Sequence, residues 1–156
     1  MNENENYFIE AAEEAKKATC QRAKCGSVVV LNEEVVGRGF NSPAGDHENQ
    51  RACNYSYDPE QRKPKLDRTC CIHAEWRAIM DAIKNQGDVT GGTLYFTRVD
   101  DEGEILKSGE PYCTVCSRLA LDSGLSGFAL WHEEGIKVYD TKEYNELSYS
   151  FHNYKK

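Results

Sequence analysis

The chain has 156 residues, 39% of them apolar, and a formal net charge of -7 at pH 7. This length predicts a single domain over residues 1–156 that can form a core without disulfide staples. No apolar run approaches the roughly 20 residues of a membrane span, and residues 1–6 lack the basic and apolar regions of a signal peptide. The acidic balance disfavours nucleic acid as a partner, because proteins bind it mainly through basic contacts to phosphate. We therefore expect a cytoplasmic protein that acts on a small molecule.

The first half of the sequence predicts a helix followed by a β-hairpin. Apolar residues recur at helical spacing over residues 7–18. Residues 26–31 are apolar and rich in valine, which predicts a strand buried on both faces. A short polar turn leads to a second, antiparallel strand over residues 35–40. Asn41 follows it, and the sequence alone favours a turn there with Ser42 and Pro43.

The connection over residues 42–68 is long for a compact domain and contains a basic cluster, made of Arg62, Lys63, Lys65 and Arg68. This cluster predicts either a clamp for a nucleotide phosphate or an ordinary solvated charged surface.

Cysteine is frequent, with seven residues in the chain. An odd number without an export signal indicates reduced thiols, and clustered cysteine with histidine indicates metal binding. Cys20, His47, Cys53 and Cys70 could together form a second, structural zinc site that fixes the long connection. The spacing matches no zinc finger, and buried cysteines that pack as small apolar residues are the alternative.

The strongest chemical signal combines His73-Ala74-Glu75 with Cys113 and Cys116. One imidazole and two thiolates supply three zinc ligands and leave the fourth tetrahedral position open to water, whose pKa zinc lowers. Glu75 is too close to His73 along a helix to be a good fourth ligand. It is therefore free to relay a proton.

The region around this motif predicts alternating helices and strands. A helix over residues 73–86 should bury Ile72, Trp76, Ile79 and Ile83 and expose Arg77. A strand is expected over 93–97, a helix over 113–123, a strand over 126–131 and a last helix from Asp140 towards Tyr149. Residues 98–110 include a turn and a short returning strand, which form either an exposed hairpin or a flap over the substrate. The aromatic tail favours core or dimer packing, with closure over a pocket as the alternative.

The His-x-Glu and Cys-x-x-Cys pair resembles the signature of the zinc-dependent cytidine deaminase-like enzymes, and the deoxycytidylate deaminase-like branch in particular. The likeness extends from about Tyr7 to Trp131. One departure is Tyr112, which separates Pro111 from Cys113 where the family usually joins proline directly to cysteine.

The resemblance implies a fold, a site and a reaction. The fold is an α/β, three-layer α/β/α sandwich with a mixed central sheet, whose antiparallel part is the hairpin. His73, Cys113 and Cys116 would bind a catalytic zinc, Glu75 would transfer protons, and Asn41 and Ala74 would contact the substrate. The reaction would be hydrolytic deamination.

Cytosine nucleotides or nucleosides are the favoured substrates. Guanine or another aminated heterocycle is the alternative. A different class remains open as well, an inactive binding module stabilised by zinc, although a free Glu75 argues against it. By analogy with the family, we expect a homo-oligomer.

Overall fold

A six-stranded mixed sheet forms the centre of the protein in the computed structural model, which describes residues 2–52 and 70–151. Its strands span Lys24–Leu31 (β1), Glu34–Phe40 (β2), Thr93–Val99 (β5), Ile105–Leu106 (β6), Gly127–His132 (β7) and Gly135–Asp140 (β8). They lie in the order β2-β1-β5-β7-β8, and β6 pairs with β5. The pair β5–β7 is parallel, whereas β2–β1, β1–β5, β5–β6 and β7–β8 are antiparallel.

Helices cover both faces of this sheet. They span Glu3–Ala15 (α1), Ala74–Gln86 (α2), Thr114–Asp122 (α3) and Thr141–Phe151 (α4). On one face, Phe8 and Ala11 of α1 pack against Val28 and Val30 of β1. On the other face, α2, α3 and α4 enclose a larger core that includes Val29. The expected three-layer sandwich with a mixed sheet is confirmed, and none of the described helices has the length and apolarity to span a membrane.

The start of α1 differs from the sequence-based expectation. The helix begins at Glu3, four residues before Tyr7, and ends at Ala15 before Ala18. Asn2 explains the early start, because its side chain accepts a hydrogen bond of 2.7 Å from the Asn4 amide. An asparagine at this position satisfies one of the free amides of the first turn.

The buried face of α2 also differs from the expected stripe of large residues. Ile79 is buried as expected, but Ile83 is 42% exposed and Trp76 is only half-buried. The packing surface instead consists mainly of small residues, namely Ala74, Ala78 and Ala82. Small side chains allow the helix to lie unusually close to β2. Arg77, expected outside, is largely buried and donates to the carbonyls of Phe40 and Pro43, at 2.9 Å each.

Two further elements shape the site. Ser42–Pro43 (β3) pairs with Cys71–Ile72 (β4), so the exit of β2 lies beside the entry to α2. The chain after β5 turns back as β6, which confirms the predicted short strand. Strand β8 was not predicted. It lies at the sheet edge, where exposed Lys137 and Val138 obscure the apolar pattern.

Candidate active site

Three potential metal ligands converge between the starts of α2 and α3. His73, Cys113 and Cys116 place their ligand atoms within 4.8 Å of one another. His73 Nδ1 is 3.2 Å from Cys116 Sγ and 3.6 Å from Cys113 Sγ, and the two sulfurs are 3.1 Å apart. Ligands of a tetrahedral zinc are separated by about 3.5–3.8 Å, given bonds of roughly 2.0 Å to nitrogen and 2.3 Å to sulfur. Two of the three distances between these atoms are a few tenths of an ångström shorter than in a tetrahedral zinc site. An imidazole nitrogen and two sulfurs are donor atoms that zinc commonly binds.

Helix geometry explains why the three side chains meet. His73 is the residue that precedes α2, and Cys113 is the residue that precedes α3. Cys113 Sγ accepts a hydrogen bond of 3.4 Å from the Cys116 amide, so the thiol acts as a helix cap. The positive end of a helix favours a negatively charged sulfur at this position.

The charges of the group also suit a cation. The hydrogen bond from the Cys116 thiol, together with those to His73 and the Cys116 amide, lowers the pKa of Cys113 to about 4 despite its burial. Burial, followed by the hydrogen bond with Cys113, raises the pKa of Cys116 well above its ordinary value, so this thiol keeps its proton at neutral pH. Burial alone would lower the pKa of His73, but the hydrogen bond with Cys113 and the nearby negative charges raise it.

Glu75 lies beside this group without belonging to the three converging ligands. Its side chain is buried, with 6% exposure. Burial and the negative charge of Cys113 raise its pKa, while His73 and a hydrogen bond with Cys116 act in the opposite direction. A buried carboxyl with a raised pKa can both accept and donate a proton near neutral pH.

Trp76 is a site residue that the sequence analysis assigned to the core instead. Its ring stacks on the His73 imidazole, with centroids 4.5 Å apart and an angle of 8° between the planes. Its buried indole nitrogen has no hydrogen-bond partner within the described residues. The sequence feature that could have predicted this stacking is the position of Trp76 three residues after His73, which places both rings on one side of the helix start.

Asn41 and Ala74, the two predicted substrate contacts, lie at the exit of β2 and at the start of α2. The Asn41 amide accepts from the Cys25 amide at 2.9 Å and donates to the Ala23 carbonyl at 2.8 Å, so it fixes the start of β1. Ala74 is fully buried at the first position of α2. An amide at that position has no partner within its own helix.

Two further side chains, those of Cys25 and Tyr112, are influenced by the charge of Glu75. Cys25 pairs with Arg98 across β1 and β5. Burial raises the pKa of Cys25, and the charge of Glu75 raises it further. Burial and Glu75 have the same effect on the pKa of Tyr112, whose ring lies 5.8 Å from that of Phe151.

The predicted second zinc site is only partly described. Cys53 lies outside the described residues, as do Arg62, Lys63, Lys65 and Arg68 of the predicted phosphate clamp. Cys20 does contact a thiol, that of Cys71, whose Sγ lies 3.7 Å from Cys70 Sγ. Within residues 2–52 and 70–151, Cys20, His47 and Cys70 do not converge as the first group does. A second zinc stays a prediction.

Comparison with known proteins identifies the family. Residues 1–129 match the model of the cytidine and deoxycytidylate deaminase zinc-binding region. The chain belongs to this family. Deoxycytidylate deaminase of Mycobacterium phage D29 is 31% identical over 133 residues, which cover 78% of this chain and 88% of the phage protein.

Solved structures of deaminases share the fold. The dCMP deaminase of cyanophage S-TIM5, in complex with dCMP and dUMP, is 24% identical with a TM-score of 0.56, over 80% of this chain and 76% of that one. Cytidine deaminase of Burkholderia pseudomallei is 17% identical with a TM-score of 0.55, over 89% and 94% of the two chains. This member of the deaminase family is a zinc-dependent hydrolytic enzyme.

Proposed function

We propose that the enzyme hydrolyses deoxycytidylate (dCMP) to dUMP and ammonia. The observation that carries this proposal is the position of Glu75, buried beside three potential zinc ligands but outside their group. A structural metal has no use for such a carboxyl, whereas deamination requires one. The choice of a deoxynucleotide rests on the deoxycytidylate deaminase of phage D29, which aligns over most of its length.

In this proposal His73, Cys113 and Cys116 bind the zinc ion. Zinc with three protein ligands supplies a Lewis acid that lowers the pKa of water. Both cysteines must be deprotonated to bind it, and the low pKa of Cys113, about 4, supports the first of these steps. The stacked ring of Trp76 supports a fixed orientation of the His73 imidazole.

Glu75 performs the proton transfers. It accepts a proton from the water that attacks C4 of the cytosine ring and passes a proton to N3. It then takes the proton of the hydroxyl now attached to C4 and transfers it to the exocyclic nitrogen, so that the C4–N bond breaks, the C4 carbonyl forms and ammonia leaves. Its raised pKa supports both roles, because an ordinary carboxyl would be a poor acid at neutral pH.

Asn41 and Ala74 contact the substrate in this proposal. An asparagine amide can make about four hydrogen bonds, and the backbone of β1 uses two of those of Asn41. The remaining capacity can serve a sugar hydroxyl. The amide of Ala74, at the start of α2, can donate to the carbonyl of the base.

The test is ammonia release from dCMP, CMP, deoxycytidine, cytidine and guanine, with zinc counted per chain. We expect dCMP to be the best substrate and Glu75→Gln to retain zinc while losing nearly all turnover. Glu133→Gln, which changes an exposed carboxylate, should behave as wild type. Near-normal rates in Glu75→Gln would refute the mechanism, and a preference for guanine would refute the substrate. A count of two zincs would support the second metal site.

We also propose that the protein forms a homo-oligomer in the cytoplasm. Met80 and Ile83 of α2 are 45% and 42% exposed, and two large apolar side chains one turn apart suit an interface. All six described cysteines are free thiols, which suits a reducing compartment. Sedimentation analysis of wild type and of Met80→Lys tests the interface, and an unchanged monomer in both would refute it.

A further inference from the structure

Arg77 joins α2 to the segment that contains Asn41. It lies one turn after His73, and its backbone amide donates to the His73 carbonyl at 3.2 Å. Its guanidinium donates to the carbonyls of Phe40 and Pro43, at 2.9 Å each. These two carbonyls lie on either side of Asn41 in the sequence. One side chain of α2 therefore fixes the backbone both before and after a predicted substrate contact.

The guanidinium of Arg77 is largely enclosed by the groups that it contacts. Its side chain is 17% exposed. The fully buried Ser42 hydroxyl accepts from it and donates in turn to the Asp46 carboxylate. That carboxylate lies 3.8 Å from the guanidinium. Because the planar guanidinium holds its donors in a fixed arrangement, the positions of its acceptors are fixed relative to α2 as well.

The short strand pair β3–β4 makes a second connection to α2. Ser42–Pro43 (β3) pairs with Cys71–Ile72 (β4), which directly precedes His73. The segment that follows Asn41 is thus attached to α2 at two points, first at the start of the helix through β4 and again one turn later through Arg77. Two attachment points fix its orientation as well as its distance from the helix.

The other contacts of Asn41 lead to β1. Its side chain bonds with the Cys25 amide and the Ala23 carbonyl, and its backbone carbonyl accepts from the Thr19 amide at 3.2 Å. These bonds attach Asn41 to the start of β1 and to the loop before it, whereas the zinc ligands lie at the starts of α2 and α3. The bonds of Arg77 add the connection to α2, and with it a defined position of Asn41 relative to the metal site.

We propose that Arg77 is a positioning residue for substrate binding, which places Asn41 so that it binds the sugar hydroxyl while the base lies at the zinc site. This inference rests on the proposed function, in which Asn41 contacts the sugar. Arg77 acts through Asn41 and not on the substrate directly. A contact to the sugar is remote from the reacting atoms and is equally strong in the ground state and the transition state, so its loss raises KM and leaves kcat unchanged.

The first test is the kinetics of dCMP deamination in Arg77→Gln and Arg77→Lys. A weakened hydrogen bond to the sugar predicts a KM about three- to tenfold higher in Arg77→Gln, with kcat within about twofold and an unchanged zinc content. Arg77→Lys keeps the charge but not the planar fork, so its KM should lie between those of Arg77→Gln and wild type. As the milder change, it also provides the test if Arg77→Gln does not fold. Arg38→Gln, which removes an exposed arginine of β2, should change neither constant.

A pair of ligands shows whether Arg77 acts through the sugar contact. Titration calorimetry of the zinc-loaded protein with dUMP and with 2′,3′-dideoxyuridine 5′-monophosphate (ddUMP), which lacks the 3′-hydroxyl, requires no turnover. Arg77→Gln should lose affinity for dUMP by about three- to tenfold and bind ddUMP within about twofold of wild type. Equal losses for both ligands would indicate a general disturbance of the fold and would overturn the role of Arg77, as would unchanged affinity for dUMP.

The same measurements separate this inference from the proposed function. If wild type deaminates dCMP and binds dUMP better than ddUMP, unaffected Arg77 variants overturn the inference alone. If wild type binds the two ligands equally well, the sugar contact of Asn41 is wrong and the inference fails with it. A wild type that deaminates no dCMP, but whose Arg77 variants lose affinity for dUMP selectively, would overturn the proposed reaction and support the role of Arg77.

Discussion

Gly39 of β2 lies directly against the first residue of the helix that contains Glu75. A Cβ atom at position 39 would come within 2.4 Å of the Ala74 carbonyl oxygen. One turn further along the helix, a Cβ at Gly37 would come within 2.2 Å of the Ala78 carbonyl. The two glycines therefore determine how closely α2 packs on the sheet and where it lies along β2. This placement in turn fixes the positions of His73 and Glu75.

Gly39→Ala is expected to disturb both stability and metal binding. The added methyl group would force α2 away from the sheet, at a cost of about 1–3 kcal/mol in the free energy of unfolding. The zinc content and kcat should fall with it. Gly109→Ala is the matched control, because a Cβ there meets nothing within 4 Å. Chemical denaturation and zinc analysis provide the measurements, and a Gly39→Ala protein as stable as Gly109→Ala would contradict the argument.

Gly26→Ala separates a specific effect on zinc binding from a general loss of stability. A Cβ at Gly26 would come within 2.0 Å of the Ala11 carbonyl oxygen, on the α1 face of the sheet. The variant should lose stability as Gly39→Ala does, but its folded fraction should bind zinc as wild type does. Equal loss of zinc affinity in both variants would mean that the contact between Gly39 and Ala74 has no specific role at the site.

Asn41→Asp should weaken the start of β1. The aspartate can still accept from the Cys25 amide, but it cannot donate to the Ala23 carbonyl and places a negative charge beside it. Loss of a buried hydrogen bond with an acceptor left unpaired costs about 1–3 kcal/mol. Asn41→Ala loses both bonds and should be less stable still. Thermal unfolding checks the order, and an Asn41→Ala protein that unfolds at the wild-type temperature would refute it.

The metal motif was predictable because its residue types and their spacing are those of a zinc site. His73, Glu75, Cys113 and Cys116 are recognisable from residue type and separation alone, and the hairpin of β1 and β2 from its apolar runs. The packing of α2 was not predictable in the same way. A prediction from hydrophobic periodicity depends mainly on the large apolar residues. This helix instead packs through alanines against glycines, so that the two backbones come close together and no large side chain lies between them.

The substrate side of the site was harder to predict for a different reason. Cys25 and Arg98 are 73 positions apart and become neighbours only through the register of β1 with β5. That register depends on the whole sheet, so no local pattern marks these two residues as neighbours. Trp76 was misassigned because an aromatic residue on a helix is usually part of the core. Its stacking on His73 depends on how α2 begins.

Trp76→Phe should preserve the site, whereas Trp76→Ala should damage it. Phenylalanine keeps a ring over His73 and removes a buried nitrogen that has no partner among the described residues. Its stability should stay within about 1 kcal/mol of wild type, because the removed polar group offsets the lost ring volume. Alanine removes the stack and should cost about 3 kcal/mol. Zinc affinity, measured by competition with a chelator, should fall only in Trp76→Ala, and an equal fall in both variants would contradict the role of the stacked ring.

Glu75→Gln should stabilise the zinc-free protein, by an amount that depends on pH. Burial raises the pKa of Glu75 above its ordinary value of 4.5, so the folded protein holds this proton more tightly than the unfolded chain does. Stability from this group is therefore fully present below pH 4.5 and is lost as the pH rises through the folded pKa. Glutamine does not titrate.

The stability difference between Glu75→Gln and wild type should therefore grow from pH 4.5 upwards and become constant above the folded pKa. Each pH unit between 4.5 and the folded pKa adds at most about 1.4 kcal/mol to the difference in the free energy of unfolding. Urea unfolding of both proteins, without zinc and across this range, measures the difference directly. The comparison cancels the titration of groups whose environment the substitution leaves unchanged. A difference that stays flat with pH, or one that shrinks, would show that burial does not hold the proton on Glu75, and the carboxyl would then lack the property that suits it to donate a proton at neutral pH.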